Sequence, residues 1–348
     1  MRIVSVAGTP SDVVHLAAVH RALDQRAERA DVEHLIVHTG PSDEGTAALC
    51  EQLETPRPHR SLDVDTGPHG AGVETGMVLQ RFEPLLAELA PDMVLVYGAG
   101  NAALAGALVA AKLGIRVGHV EAGLRSGDRT PQQINHVVTD RLADPLFVPS
   151  RDAIDALKAE GVAEERIQFV GSVRIDALCW ALSRAPAVDG GGHAVVSLHE
   201  PAAEVAQALA ELDRRIPVVT APAGYLDLIG LVAGAALVVT DTDELQDETS
   251  YLGVPCITLR PNTDHPATCQ HGTNRLVAAG RSTLLAAAER ALARRGPARP
   301  VLERWDGMAA QRIACVLCDG RDFPAEPAET AAPAARRTRQ AVAIPQMA

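Results

Sequence analysis

Apolar runs and amphipathic segments alternate along this chain. Met1 to Ala7 is mostly apolar and stops at Gly8-Thr9, as a buried strand does; Asp12 to Arg29 then carries apolar residues at helical spacing. His34 to His38 (HLIVH) predicts a second strand, ending at Thr39-Gly40. Helices are predicted over Glu44–Leu53 and Thr75–Leu89, with a loop-rich stretch from Arg60 to Gly72 between them and Pro91 closing the second. Met93 to Tyr97 (MVLVY) is a strand ending in Gly98-Ala99-Gly100, and Ala102–Leu113 is a helix of small residues. Arg116–Val120 is a strand ending in Glu121-Ala122-Gly123, and Gln132–Leu142 is the next helix. Strand Leu146–Pro149, helix Asp152–Glu160 with Ser150 as its N-cap, strand Ile167–Val170 and a helix to about Leu182 complete the first unit.

Arg184 to Gly192 (RAPAVDGGG) reads as a linker. A second unit follows, with strands at His193–Leu198, Ile216–Thr220, Ala236–Thr240 and Pro255–Leu259. Its helices are predicted at Glu204–Leu212, Tyr225–Val232, Glu244–Leu252 and Ser282–Arg294, with a last helix over Trp305–Cys318. Short strands alternating with helices mean parallel βαβ units, an α/β fold. Ligands in such sheets sit at the carboxyl ends of the strands, which here carry Gly8, Gly40, Gly98 and Gly123. The expected division is an N-terminal domain 1–183, linker 184–192, a C-terminal domain 193–305, a helix 306–320 and a disordered tail 321–348.

Composition narrows the function. The chain has 348 residues, 47% hydrophobic but only 3% aromatic, so its cores rest on Ala, Val, Leu and Ile and it lacks stacking platforms for single-stranded nucleic acid. A formal charge of −12 disfavours nucleic acid and anionic membrane as partners. No apolar run is long enough to span a bilayer, and MRIVSVAG reads as a strand rather than a signal peptide, so a cytoplasmic protein is expected. The six cysteines are scattered; Cys315 and Cys318 fall in a helical pattern with no second pair, and no spacing signature calls for a metal.

Val94 to Ser150 contains VLVYGAGNAALAGALVAAKLGIRVGHVEAGLRSGD and then PQQINHVVTDRLADPLFVPS. Gly171–Leu178 reads GSVRIDAL, Thr240–Glu248 TDTDELQDE, His271–Val277 HGTNRLV and Asp306–Ile313 DGMAAQRI. Together these runs resemble the non-hydrolysing UDP-N-acetylglucosamine 2-epimerase family, over nearly all of the chain except its tail. The resemblance implies two Rossmann-like domains facing a central cleft, in the glycosyltransferase-B-like (GT-B-like) arrangement of two parallel sheets. It implies a nucleotide-sugar substrate and a homodimer; no cofactor is expected, and a mixed oligomer with a homologue is the expectation for a non-catalytic member. The family chemistry expels UDP from C1 as a proton leaves C2, then adds UDP back with C2 inverted. That requires carboxylates at the sugar and cations or helix N-termini at the diphosphate.

Through the resemblance, Glu121 and His199 are the expected catalytic residues, and Glu248 occupies the position that binds ribose hydroxyls. Thr242, Gly272, Thr273, Gln132, His136 and Tyr225 complete the expected substrate-binding set. Several positions depart from the family pattern. Its acidic residue after VHG falls on Ala99, and the first Glu of PEE on Gln132, a carboxamide that moves no proton. Its phosphate-side cations fall on Pro10, His15, His136, Glu200 and His265, and its SGG on Thr242-Asp243-Glu244. A strand unit with a PVH-x-NP motif is missing between His199 and Tyr225. His15, His136 and His265 predict either a pocket charged only at mildly acid pH, or drift in a site no longer used. Altered sugar chemistry, glycosyl transfer, non-catalytic binding or regulation, and 2-epimerisation by a rearranged site are all uses such a cleft allows.

Overall fold

The computed structural model describes residues 1–323 apart from 42, 66, 68, 69, 187, 189–191 and 294–301. The first sheet contains β1 (Arg2–Ala7), β2 (Glu33–His38), β3 (Arg60–Ser61), β4 (Met93–Tyr97), β5 (Arg116–Val120), β6 (Leu146–Val148) and β7 (Ile167–Phe169). All are parallel, in the order β3-β2-β1-β4-β5-β6-β7. Its helices are α1 (Pro10–Ala30), α2 (Glu44–Gln52), α3 (Ala71–Leu89), α4 (Asn101–Lys112), α5 (Pro131–Leu142), α6 (Arg151–Ala159) and α7 (Val173–Leu182). The second sheet contains β8 (Ala194–Ser197), β9 (Val218–Thr220), β10 (Leu237–Thr240), β11 (Cys256–Thr258) and β12 (Asn274–Leu276), parallel in the order β12-β11-β10-β8-β9. Around it run α8 (Ala203–Leu212), α9 (Tyr225–Ala233), α10 (Glu244–Leu252), α11 (Pro266–Gln270) and α12 (Arg281–Ala293), and α13 (Ala309–Asp319) closes the described chain.

Helices cover both faces of each sheet, so the strands are apolar throughout rather than alternating: β4 (MVLVY) is buried at every position. Each sheet reverses strand order at its centre, between β1 and β4 in the first and between β8 and β10 in the second. The loops leaving those strands splay apart there and open a crevice, which places the site.

Boundaries moved where local bonds outweigh periodicity. Helix α3 starts at Ala71, earlier than the expected Thr75, because the Gly70 carbonyl accepts from Val73 and Glu74 N–H. Element β3 lies in the stretch expected to be loop-rich, and α11 and β12 lie where no element was expected, all being too short to show a period. The last helix begins at Ala309 rather than Trp305. Gly307 sits at φ 76°, Asp306 bonds the Met308 N–H, and the Trp305 indole donates to the Pro149 carbonyl at 3.1 Å.

That last helix returns to the first sheet. Ala309, Ala310, Ile313 and Ala314 pack into one core with residues of α1 and α7, and the Asp176 carboxylate accepts the N–H groups of Ala309 (3.0 Å) and Ala310 (2.7 Å). Gly171, at φ 93°, lies so close to the Arg304 carbonyl that any side chain there would collide with it. Phe323, within the expected tail, bonds to the edge strand β7, its carbonyl accepting from Phe169 N–H at 2.8 Å and its N–H donating to Gln168. The rest of that tail, 324–348, and residues 187 and 189–191 of the expected linker lie outside the described residues. No described helix is long and apolar enough to cross a membrane.

Ile313 is fully buried where α13 meets α1. Ile313→Ala should therefore lower unfolding free energy by about 2–5 kcal/mol in urea titration, whereas Met308→Ala, at an exposed position, should change it little.

Candidate active-site cleft

The loops at the two crevices line one cavity of about 500 Å³ between the sheets. Thr9, Asp12, Gly98–Gly100 and Glu121 border it from the first sheet; His199, Asp241–Glu244, Arg260 and His265 border it from the second. The expected Glu121, His199, Gln132, His136 and Thr242 are brought together here. Tyr225 and Glu248 border an adjoining cavity of about 430 Å³, which shares Ser11, Arg174, Thr242 and Glu244 with the first. Gly272 and Thr273 border neither: they line a separate cavity with Pro255 and Arg290. Gly272 is pressed against Ser250 and the Thr268 carbonyl, which suits close packing rather than ligand contact.

Glu121 is the first residue after β5, and its backbone is left-handed at φ 63°. A side chain pays steric strain there, and neighbouring bonds hold it: the His136 Nε2–H donates to the Glu121 carbonyl at 2.9 Å, and Ala122 N–H donates to Phe147 at 3.0 Å. The result aims the carboxyl across the sheet, where Oε1 accepts the Val173 N–H at 2.8 Å, rather than a donor of its own turn. Burial pushes its pKa up and the nearby Asp247 adds to this, against the Val173 bond, His265 and Arg174, bringing it to about 8.

Behind Glu121, His119 Nδ1 meets Asp140 at 2.6 Å and its Nε2 donates to the Gly98 carbonyl at 2.8 Å. Asp140 also accepts from Gly123 N–H at 3.1 Å and pairs with Arg125 at 2.8 Å. Burial alone would raise the Asp140 pKa, but His119, His136 and Arg125 hold it well below the carboxylate range. His119, His136 and Asp140 have metal-ligand atoms within 4.8 Å of one another, yet these bonds already engage both nitrogens of His119 and both oxygens of Asp140. The cluster braces the loops after β4 and β5.

The three histidines do not behave as one pocket. Burial, then Arg174 and His265, pushes His15 well below its ordinary range, and burial takes His136 down to about 3, so both are neutral at pH 7. His265 goes the other way. Burial opposes its charge, but Asp247, Asp264 and Asp243 outweigh it and hold the pKa well above the ordinary imidazole value. Its Nδ1 lies 2.9 Å from Asp247, so His265 is a cation at neutral pH, which corrects the expectation of charge only in mild acid.

Cations also reach the cleft from positions that sequence reasoning passed over. Arg174, on α7, pairs with Glu248 of α10 at 3.3 Å and bonds Ser11; Arg260 pairs with Asp243. The cleft is thus not stripped of cations, but each is matched by a carboxylate. Asp243 stands at the N-cap of α10 without a side-chain cap bond; its carboxylate pairs with Arg260 and accepts from Gln246 Nε2 at 2.8 Å. Glu248 also accepts from the Tyr225 hydroxyl at 3.1 Å, while its Oε2 is buried without a hydrogen-bond partner. Burial raises Glu248 to about 7, against Arg174 and Tyr225. At the rim His199, largely exposed, is held by Asp241 through Nδ1 at 3.1 Å, and Gln132 stands exposed in the first turn of α5. Arg174 follows the carboxyl end of β7, so applying the strand-end rule there would have flagged it.

A family profile described as UDP-N-acetylglucosamine 2-epimerase matches residues 24–189 and 187–318. The chain is 31% identical to the UDP-N-acetylglucosamine 2-epimerase of Methanocaldococcus jannaschii, over 92% of this chain and all of that protein. It is 33% identical to the UDP-2,3-diacetamido-2,3-dideoxy-D-glucuronate 2-epimerase of Pseudomonas aeruginosa, over 84% of this chain and 92% of the relative. The crystal structure of the M. jannaschii enzyme in complex with UDP-GlcNAc and UDP superposes with a TM-score of 0.80, covering 91% of this chain and 99% of that one.

Two stability measurements follow from the cleft. Arg174→Met strands Glu248 and should cost about 3–5 kcal/mol, while adding Glu248→Gln should recover most of it, both read by denaturant titration. Glu121 has a folded pKa near 8 against an ordinary 4.5. Its favourable contribution is complete below 4.5 and is lost as pH rises through 8. Glu121→Gln should therefore melt increasingly above the wild type between about pH 5 and about pH 8.5.

Proposed function

The chain belongs to the UDP-N-acetylglucosamine 2-epimerase family, and from that premise we propose that its cleft takes a nucleoside-diphosphate sugar and moves the proton at the sugar's C2 through Glu121, in a site altered from the family pattern. The observation that carries this is Glu121 itself: a buried carboxyl at a strand end of the cleft, tuned to about 8, where it both holds and releases a proton near neutral pH. Ala99 and Gln132 can do neither. His199, oriented by Asp241, would polarise the sugar or its leaving group from the opposite wall.

The adjoining cavity suits the nucleoside. Glu248 borders it with an unpartnered oxygen that a ribose hydroxyl would satisfy, and Tyr225, Thr242 and Leu228 line the remainder. Arg174, Arg260 and His265 are the groups available to a diphosphate, and since each already serves a carboxylate, weak binding is expected. The acidic wall of Asp241, Asp243, Glu244 and Asp264 opposes a uronate, so a sugar uncharged at C6, as in UDP-N-acetylglucosamine, fits better.

Those same ion pairs favour a second reading, a binding or regulatory homologue without turnover. Incubation with UDP-N-acetylglucosamine in D2O, followed by proton NMR, decides between them. The expected result is deuterium at C2, reduced at least about hundredfold in Glu121→Gln. UDP binding by calorimetry with no exchange would favour the binding homologue, and no heat at millimolar UDP would sink both.

A further inference from the structure

Inverting a carbon takes two proton-transfer groups. The proton leaves C2 on one face as the C1–O bond to the diphosphate breaks, the electron pair departs with the diphosphate, and C1=C2 forms. When the diphosphate oxygen bonds C1 again, C2 must take its proton on the other face, which a single fixed carboxyl cannot reach. Resting on the reading above, we propose that Asp12 is the second proton-transfer residue, working across the sugar from Glu121.

Asp12 stands in the first turn of α1, beside the crevice between β1 and β4. Its Oδ2 is pinned to the end of β1 by the N–H groups of Gly8 (2.9 Å) and Thr9 (3.0 Å). Both backbone bonds fall on Oδ2, and Oδ1 takes part in neither. That oxygen lies 4.0 Å from where a side chain on Gly98 would begin, and Oδ2 lies 3.9 Å from the same point on Gly100. The loop between them offers only the Ala99 methyl, so Asp12 supplies a carboxylate where the loop has none. Asp12 follows β1 and Glu121 follows β5, on either side of the β4 strand end, so the two carboxyls enter the cleft from different loops. Both residues border the same cavity.

Burial raises both carboxyls, Asp12 to about 6 and Glu121 to about 8. At neutral pH one is mainly ionised and the other mainly protonated, the division of labour that a base and an acid require. The capping role of Asp12 toward Thr9 is a separate one, and an amide preserves it, because its oxygen still accepts the Gly8 and Thr9 N–H bonds.

The test compares wild type, Asp12→Asn and Glu121→Gln with UDP-N-acetylglucosamine in D2O, following both C2 deuterium and the manno epimer by NMR, with thermal melts and UDP calorimetry on each protein. The expected result is epimer from the wild type, and from Asp12→Asn at least a hundredfold less epimer while it melts and binds UDP as the wild type does and still exchanges C2 or releases UDP. Full epimerisation by Asp12→Asn, or C2 exchange without epimer in the wild type, overturns the assignment and leaves the Glu121 reading standing. No exchange in any protein sinks both. If Asp12→Asn melts early, Asp12→Glu, which restores the acid, must recover epimer as well as stability for the assignment to survive.

Discussion

A buried set of charges joins the two sheets and fixes the floor of the cleft. Arg174 and Ser172, at the start of α7, reach Glu248 and Asp247 of α10, and Asp247 in turn holds His265. Removing charged groups from water is costly unless each finds its partner, so this contact is intolerant of misalignment. It fixes the mutual position of the two crevices together with a loop contact, Asn262 Nδ2 donating to Asp128 at 3.1 Å. The C-terminal helix adds a second tie, returning from the second unit to pack on α1 and α7 with Asp176 holding its first turn.

The same pairing governs the electrostatics of the site. Arg174, Arg260 and His265 are all present at the cleft, yet Glu248, Asp243 and Asp247 balance them. The diphosphate proposed as ligand would meet cations already half-committed. Proton chemistry does not suffer in the same way. Glu121 and Asp12 are shifted mainly by burial, and the shifts carry both toward neutrality, where a carboxyl is most useful as an acid or a base. On the proposed reading, the cleft is better equipped to move a proton than to grip an anion.

The apolar rhythm of the sequence sufficed for the two parallel sheets, because strands buried on both faces read as continuous apolar runs and their connections as helices. The strand-end residues Glu121 and His199 were legible for the same reason: the run stops, and the next residue lies at the crevice. The runs GHVEAGLRSGD and GSVRIDAL carried the kinship that the family profile supports. What was read less well were elements of two to five residues, such as β3, α11 and β12, which carry no period, and the Gly272-Thr273 loop, whose residues pack into a different cavity.

By itself, then, the sequence determined which residues stand at the carboxyl ends of the strands, since that depends only on where each apolar run ends. Tertiary structure alone decided what those residues are chemically. Three histidines in similar positions became two neutral rings and one cation, according to whether burial or a ring of carboxylates prevailed. Partners such as Arg174 and Glu248 are 74 residues apart in the chain. Charge state is set by desolvation and by neighbours in space, and no local pattern records either of them.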